Sequence, residues 1–176
     1  MSCLEAPIER LDEARSEYFE LLNTFSHSEG LWKPSNDEWS AAEITEHLYW
    51  AELGVSNHIW KQFSDMREGV APAQELTANN GLSFSEIVAL HGNCVVDAPR
   101  QTLPRLKGPL VFWKSVLGGL RSAYHRLEIE ITQDEASCFA FDHVIFGRLD
   151  FYQTLDFLSS HITRHKGQVH RLVDKI

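Results

Sequence analysis

Apolar side chains recur every three or four positions in four long stretches of the chain, a spacing typical of amphipathic helices. Polar and charged residues fill the positions between them, and the chain contains no alternating segments long enough to build a sheet. The pattern predicts an all-α protein, a four-helix bundle. The four stretches are residues 7–26, Ser40 to about Gly69, Pro109 to Ile131, and about 150 to 175.

The second predicted helix has a well-defined start. Ser40 can accept a hydrogen bond from the amide of Glu43, and the Glu43 carboxylate can return one to the Ser40 amide. Trp39, just before this pair, can pack on Ile44. Together these residues form a capping box with a hydrophobic staple, which predicts that the helix begins immediately after Ser40.

Residues 70–108 interrupt the helical pattern. They contain three prolines and the turn signal Asn79-Asn80-Gly81, and within them only residues 85–91 have helical spacing. This segment is therefore predicted to be a long crossover connection between the second and third helices. In the third helix, Gly118 and Gly119 each cost about 1 kcal/mol relative to alanine, so we expect a neighbouring helix to approach closely there.

Composition and charge narrow the possible functions. The 176 residues are 43% hydrophobic and 23% charged, as expected for one globular domain spanning residues 1–176. The net charge of -9 argues against a nucleic-acid partner. No apolar run approaches the roughly 18 residues of a membrane span, and the first residues do not resemble a signal peptide, so we expect a cytoplasmic protein without a membrane partner.

The three cysteines are Cys3, Cys94 and Cys138. They are odd in number, far apart and not in a CxxC pair, so they predict ordinary reduced thiols. None is next in sequence to the cation or positioned base that a nucleophilic cysteine needs. We therefore expect any activity to use a metal-activated nucleophile and none of the cysteines.

Histidines supply the candidate chemistry. The apolar stripe of the last helix is interrupted only by His165, and His161 lies one turn earlier at the edge of the same stripe. Two imidazoles at this spacing can bind one cation. His47 lies beside apolar residues on the second helix, where an unpaired imidazole would be costly to bury. Three inward-facing histidines with one free position predict a catalytic divalent metal site; the alternative is that each is a hydrogen-bonded core residue.

Several other polar residues are weaker candidates. His58 shares a helix face with His47 and could be a fourth ligand, although packing is the more common role. His143 precedes the last helix and could reach the site from its loop. Glu46 and Glu52 flank His47 and could act as a base or support a ligand, or lie on the helix surface. Gln168, one turn after His165, could hold water or a substrate group, or lie at the rim of the bundle.

The chain contains two longer motifs, W-S-x-x-E-x-x-x-H, which starts at Trp39, and H-x-x-x-H-x-x-Q, which starts at His161. Both resemble motifs of the DinB/YfiT-like superfamily of metal-binding four-helix bundles, and the resemblance covers nearly the whole chain. The resemblance implies that His47, His161 and His165 bind the metal. Many relatives have a His-Pro dipeptide before the last helix, where this chain has His143-Val144.

The resemblance implies less about the reaction, because the superfamily includes thiol-dependent transferases and isomerases as well as proposed hydrolases. We expect a zinc-, nickel- or iron-dependent enzyme that activates either water or a low-molecular-weight thiol. Its small-molecule pocket would lie between the second and last helices, bordered by aromatic residues such as Trp50 and Phe146. Catalytic residues beyond the metal ligands are not assigned by the sequence.

A non-enzymatic protein is the alternative hypothesis. The metal would then be structural or absent, and surplus apolar residues would serve a homodimer or another partner. Trp60, Phe63 and Trp113 are the residues predicted to be available for such an interface. A pocket open to solvent beside the ion would favour the enzyme, and a sealed site would favour the structural role.

Overall fold

The four predicted helical stretches form the helices of a bundle in the computed structural model, which describes residues 5–70, 78–91 and 97–176. The predicted all-α four-helix bundle with a long crossover is confirmed; α1, α3, the α5–α6 pair and α8 occupy the four stretches. Within the described residues the elements are α1 (Glu5–Leu22), α2 (His27–Leu31), α3 (Ala41–Arg67), α4 (Phe84–His91), a 3₁₀ turn (Arg100–Thr102), α5 (Leu110–Gly119), α6 (Arg121–Glu130), α7 (Gln133–Ser137), β1 (Phe141–His143), β2 (Gly147–Leu149) and α8 (Phe151–Val173).

The start of α3 follows the predicted capping box. The Glu43 amide donates to Ser40 Oγ at 3.2 Å, and the Ser40 amide donates to Glu43 Oε2 at 2.9 Å. The helix ends at Arg67, two residues before Gly69, whose positive φ of 86° suits a residue without a side chain. This long helix carries His47 in its second turn.

The third predicted stretch is broken into two helices at Leu120. A Cβ atom on Gly118 would lie 3.3 Å from the ring of Phe19, so α1 does approach this glycine closely. No atom lies within 4 Å of the corresponding position on Gly119. The predicted close approach therefore accounts for Gly118, whereas Gly119 lies beside the helix break.

A short antiparallel hairpin precedes α8 and was not predicted. Strands β1 and β2 pair Phe141 with Leu149 and His143 with Gly147. Each strand has only three residues, which is too few to produce a recognisable alternating pattern. The hairpin carries His143 and Phe146 and lies just before the start of α8, the helix that carries His161 and His165.

The core is formed where α1 packs along α8 and where α3 packs against α5 and α8. The prediction that Phe63 and Trp113 are surplus to the core is wrong, since they are 0% and 1% exposed. Trp60 is partly buried and packs against the same core. These aromatic residues pack within the chain because α3 contacts helices on both sides.

An ion pair joins α1 to α3 inside the bundle. Arg15 Nη2 lies 2.7 Å from Glu52 Oε2, and both side chains are buried. Nearby, the hydroxyl oxygens of Tyr18 and Thr45 lie 2.8 Å apart. The sequence had left open whether Glu52 supports a histidine or lies on the helix surface. It does neither, because it is bound by Arg15 on the α1 side of α3.

The crossover contains the helix predicted at residues 85–91, observed as α4, and the 3₁₀ turn. It is tied to the hairpin by Asn79 Nδ2, which donates to the carbonyl oxygens of Phe146 and Arg148 at 2.6 and 2.9 Å. Cys138 is a free thiol, while Cys3, Cys94 and Pro72 lie outside the described residues. In the part of the chain that the structure describes, no helix combines the length and apolar character required to cross a bilayer.

Candidate metal centre

The first histidine of the site is His47, whose side chain is almost completely buried against the crossover. Its Nδ1 atom donates a hydrogen bond to the carbonyl oxygen of Thr102 at 3.0 Å. A carbonyl oxygen can only accept, so the proton of the neutral ring is fixed on Nδ1. The lone pair of Nε2 is consequently free to bind a cation.

His165 of α8 has the same arrangement. Its side chain is buried, and Nδ1 donates to the side-chain oxygen Oε1 of Gln168, one turn later. The proton is again held on Nδ1, so Nε2 carries a lone pair, which accepts a hydrogen bond from Arg164 Nη2 in the absence of an ion. Gln168 thus orients His165, a role that was not among the alternatives considered for it from the sequence.

The three predicted histidines converge through their Nε2 atoms. His161 Nε2 lies 3.3 Å from His47 Nε2 and 3.0 Å from His165 Nε2. Nitrogen ligands of a tetrahedral ion at about 2.0 to 2.1 Å would be separated by about 3.3 Å. Two of these Nε2 atoms carry lone pairs that face a common point, a donor set that fits a divalent cation.

Electrostatics favours the neutral rings that a metal requires. Burial lowers the pKa of His47, and it lowers the pKa of His161 and His165 well below the usual histidine value. The neighbouring rings and the Arg164 guanidinium lower the pKa values further. The buried Nδ1 atom of His161 has no hydrogen-bond partner among the described residues. The cluster is therefore poor at holding protons and suited to sharing its lone pairs with a metal ion.

Within the described residues the same three histidines could together hold a metal ion, since one ligand atom from each lies within 4.8 Å of the others; we call them the metal-ligating group. No described cysteine or carboxylate joins this group as a fourth ligand. Three neutral nitrogen ligands with a remaining position are typical of catalytic ions, because closed structural zinc sites usually have four protein ligands.

Arg164 lies directly beside the cluster. Its Nη2 atom donates a hydrogen bond to His165 Nε2 at 2.8 Å, so a guanidinium contacts one of the atoms that would bind the ion. Burial of the guanidinium end lowers its pKa from the ordinary arginine value. This role was not predicted, because an arginine among the polar positions of an amphipathic helix is usually a surface residue.

Aromatic rings form one wall of the site. Phe157 stacks on His161 with ring centroids 5.4 Å apart, and His143 packs against Phe157 at 4.6 Å and Phe146 at 4.8 Å. The Nδ1 atom of His143 accepts hydrogen bonds from the amides of Ile145 and Phe146, so its proton is on Nε2. Burial lowers the pKa of His143 to about 4. His143 thus belongs to the aromatic surroundings of the metal-ligating group.

A groove of about 300 Å³ is connected to the cluster through two residues that contact its histidines. Trp39, whose ring lies 5.1 Å from that of His47, forms part of its lining, and so does Gln168, which orients His165. The groove lies between the segment that leads into α3 and the end of α8. Its lining consists of Asp37, Glu38, Trp39, Ile44, Gln168, Arg171, Leu172 and Lys175.

The remaining sequence candidates lie apart from the cluster. His58 Nε2 is 3.1 Å from the carbonyl oxygen of Ala140, and its ring packs on Phe139 and Phe141, so it has the packing role. Trp50 borders Arg105, whose guanidinium lies 3.8 Å from the ring centroid. Trp50 therefore packs against the crossover, while Phe146 contributes to the aromatic wall through its contact with His143.

Glu46 supports the crossover that orients His47. Its Oε1 atom accepts hydrogen bonds from the amides of Arg105 and Leu106 at 2.7 and 2.9 Å and from Trp50 Nε1 at 3.1 Å. The carboxylate is completely buried, and Oε2 has no hydrogen-bond partner among the described residues. Of the roles left open for Glu46, the structure favours supporting a ligand over exposure at the helix surface.

Comparison with solved structures identifies two similar folds. YfiT from Bacillus subtilis, described as a probable metal-dependent hydrolase with an unusual four-helix bundle topology, has a TM-score of 0.63 at 11% identity, over 99% of this chain and 89% of YfiT. A conserved protein from Enterococcus faecalis has a TM-score of 0.56 at 15% identity, over 98% of this chain and 95% of that protein. At these identities the similarity establishes the fold alone.

No curated protein matches the sequence at a significant level. The DinB superfamily, in contrast, matches residues 10–169, a range that contains all three clustered histidines and Arg164. Because this match spans most of the 176 residues, the chain belongs to the DinB superfamily.

Proposed function

We propose that the protein is a divalent-metal-dependent enzyme whose three ligands are His47, His161 and His165, and that its reaction is hydrolysis of a small molecule. The observation that carries the proposal is the convergence of three Nε2 atoms at 3.0 and 3.3 Å, with two of the rings fixed in the tautomer that a metal needs. The description of YfiT as a probable metal-dependent hydrolase supports the same reaction class.

Access to the cluster favours a catalytic role over a structural one. His161 is only partly buried, and Arg164 beside it is exposed. The described residues supply three ligands and no fourth, so one side of the ion would be left for water or substrate. These features support an enzyme in preference to a non-enzymatic metal-binding bundle.

When bound, a divalent ion at three neutral histidines lowers the pKa of a coordinated nucleophile, water or thiol, toward neutrality. The chain's own residues then have separate tasks. Thr102 and Gln168 hold the rings of His47 and His165, Phe157 stacks on the ring of His161, and the Nε2–H group of His143 is available as a donor to a substrate.

A transferase that uses a low-molecular-weight thiol is the second candidate. The observation behind it is the donor set itself, because three neutral ligands leave the full charge of the ion to stabilise a thiolate as well as hydroxide. Nitrogen ligands suit zinc, nickel and iron, and elemental analysis of the native protein is the measurement that distinguishes these metals.

The test is metal analysis followed by an activity screen. Protein with one equivalent of zinc, nickel or iron is assayed for ester hydrolysis and for transfer of a small thiol to an electrophile. Once a substrate is found, His161→Ala should abolish turnover, whereas a triple Cys3→Ser, Cys94→Ser, Cys138→Ser variant should retain it. Turnover that persists in His161→Ala and disappears in the triple variant would contradict the proposed mechanism. Native protein purified without metal would contradict the proposed metal site.

A further inference from the structure

Arg164 is a cation in direct contact with the candidate metal centre. Its Nη2 atom donates to His165 Nε2 at 2.8 Å, and no described carboxylate lies within ion-pair distance of the guanidinium. Lys166, two residues further along α8, is instead paired with Glu17. Arg164 thus presents a positive charge at the metal-ligating group, and no described residue forms an ion pair with it.

A divalent ion at the three histidines would add two further positive charges beside this guanidinium. The three ligands are neutral, so they offset none of this charge. Two neighbouring cations repel each other, and the repulsion is largest where water is partly excluded. An anion between them offsets this repulsion. The guanidinium must also leave the lone pair of His165 Nε2 when an ion takes it, and the Nη2–H group that it donates there then becomes free for another acceptor.

The best acceptor for this donor is an oxyanion. A guanidinium has a planar fork that binds carboxylate and phosphate groups through two parallel hydrogen bonds. The net charge of the chain, -9, works against binding an anion elsewhere on the surface, so a local cation is needed to select one. A bound ion and the guanidinium would therefore together favour one negatively charged group.

The neighbouring groove provides room for the rest of such a molecule. Arg164 precedes Gln168 by one helical turn and so shares its face of α8. Gln168, Arg171 and Lys175 line the groove, which at about 300 Å³ is large enough for a small ligand. A substrate in this groove would meet Arg171 and Lys175 on its α8 side, where Lys175 is paired with Glu38 at 3.0 Å, and would meet Asp37 and Glu38 on the other side.

We propose that Arg164 binds an anionic group of the substrate, so that the substrate of this site is a small molecule bearing a carboxylate or phosphate group. The inference rests on the proposed metal-dependent function and names the class of substrate on which the enzyme acts. Arg164 is a substrate-binding residue here, and the metal ligands remain the three histidines.

The experiment measures anion binding without requiring turnover. Wild-type, Arg164→Gln and Lys166→Gln proteins are each loaded with one equivalent of Co²⁺, and the visible absorption of the ion is followed as acetate, inorganic phosphate or neutral imidazole is added. Lys166→Gln is the matched control, because it removes the same charge from the same helix at a residue that is already paired with Glu17.

We expect Arg164→Gln to raise the Kd of acetate or phosphate about tenfold or more, the size of one charge-assisted hydrogen bond, while imidazole and Lys166→Gln give wild-type values. The oxyanion with the larger loss identifies the substrate group. Unchanged anion affinity in Arg164→Gln, or an equal loss for imidazole, would overturn the inference alone. Failure of the wild-type protein to bind Co²⁺ would be seen before any anion is added and would overturn the proposed function with it.

Discussion

The Nδ1 atom of His47 donates to the backbone carbonyl oxygen of Thr102 at 3.0 Å, across 55 positions of sequence. A candidate metal ligand on α3 is therefore oriented by the backbone of the crossover. Outer partners of this kind fix the tautomer and ring orientation of a ligating histidine. The conformation of the crossover becomes part of the site, although no crossover side chain belongs to the metal-ligating group.

Glu46 should control metal affinity through this connection. Glu46→Ala removes the acceptor of the Arg105 and Leu106 amides, so we expect the free energy of unfolding to fall by about 2 kcal/mol and the metal affinity to fall about tenfold. Glu46→Gln retains an acceptor at Oε1 and should bind metal nearly as well as wild type. Competition against a chelator of known affinity measures both. Equal losses of metal affinity in the two variants would show that the negative charge of Glu46, and not its hydrogen bonds to the Arg105 and Leu106 amides, controls the affinity.

His165 should be essential for metal binding and dispensable for folding. We expect His165→Ala to lose stoichiometric metal while retaining its helical circular dichroism, because the packing of apolar faces dominates the stability of the bundle. His170→Ala, at an exposed position on the same helix, is the control and should retain its metal. Unfolding of His165→Ala would indicate that the ion is structural.

Gln168 offers a separate test of how His165 is oriented. Gln168→Leu removes the acceptor for His165 Nδ1–H and should weaken metal binding about 10- to 100-fold. Gln168→Glu keeps an acceptor and increases the basicity of the ring, so its affinity should equal or exceed that of wild type. A Gln168→Leu protein with wild-type affinity would contradict the role assigned to this side chain.

The metal-free protein should lose stability as the pH falls through the histidine range. Burial lowers the pKa of His143 from 6.5 to about 4, so the unfolded chain binds a proton more readily than the folded chain between these values. The free energy of unfolding is therefore highest above pH 6.5 and decreases toward pH 4, by about 1 to 2 kcal/mol from His143 after allowance for its partial exposure. The three clustered histidines change in the same direction.

Urea unfolding in the presence of chelator at pH 7.5, 6 and 5 measures this dependence. His143→Asn keeps an acceptor for the amides of Ile145 and Phe146 but does not titrate, so its stability should change less steeply with pH. Glu135, whose pKa is lowered to about 2 mainly by Arg67, contributes only below its ordinary value of 4.5 and does not interfere. An identical slope for wild type and His143→Asn would contradict the prediction.

The two adjacent glycines of α5 should respond differently to alanine. Gly119→Ala meets open space and gains helix propensity, so we expect the free energy of unfolding to rise by roughly 0.5 to 1 kcal/mol. Gly118→Ala forces the Phe19 ring to move and should gain less or lose stability. Thermal unfolding of both variants gives the comparison, and a larger gain for Gly118→Ala would refute the assigned contact.

The features that sequence reasoning predicted are those determined locally. The spacing of apolar residues predicted the long helices, and Ser40 with Glu43 predicted where α3 begins, because both patterns act within a few residues. His161 and His165 share a helix face for the same reason. The inward position of His47 followed from its apolar neighbours on α3.

The features that were missed depend on contacts between distant segments or on backbone atoms. The burial of Glu52 requires Arg15, 37 positions away, and nothing near Glu52 in sequence indicates that partner. The role of Thr102 belongs to its carbonyl oxygen, which every residue possesses. Arg164 was overlooked because its importance comes from the atom it contacts, and the three-residue strands of the hairpin are too short to show a period.

The 114 positions between His47 and His161 have a consequence for kinetics. An ion held by both residues acts as a cross-link that closes a loop spanning most of the chain, and closing such a loop restricts the unfolded ensemble. Two of the ligands lie together on α8 and the third lies on α3, so an ion bound to all three would resist separation of these two helices. We expect the bound ion to slow unfolding of the bundle.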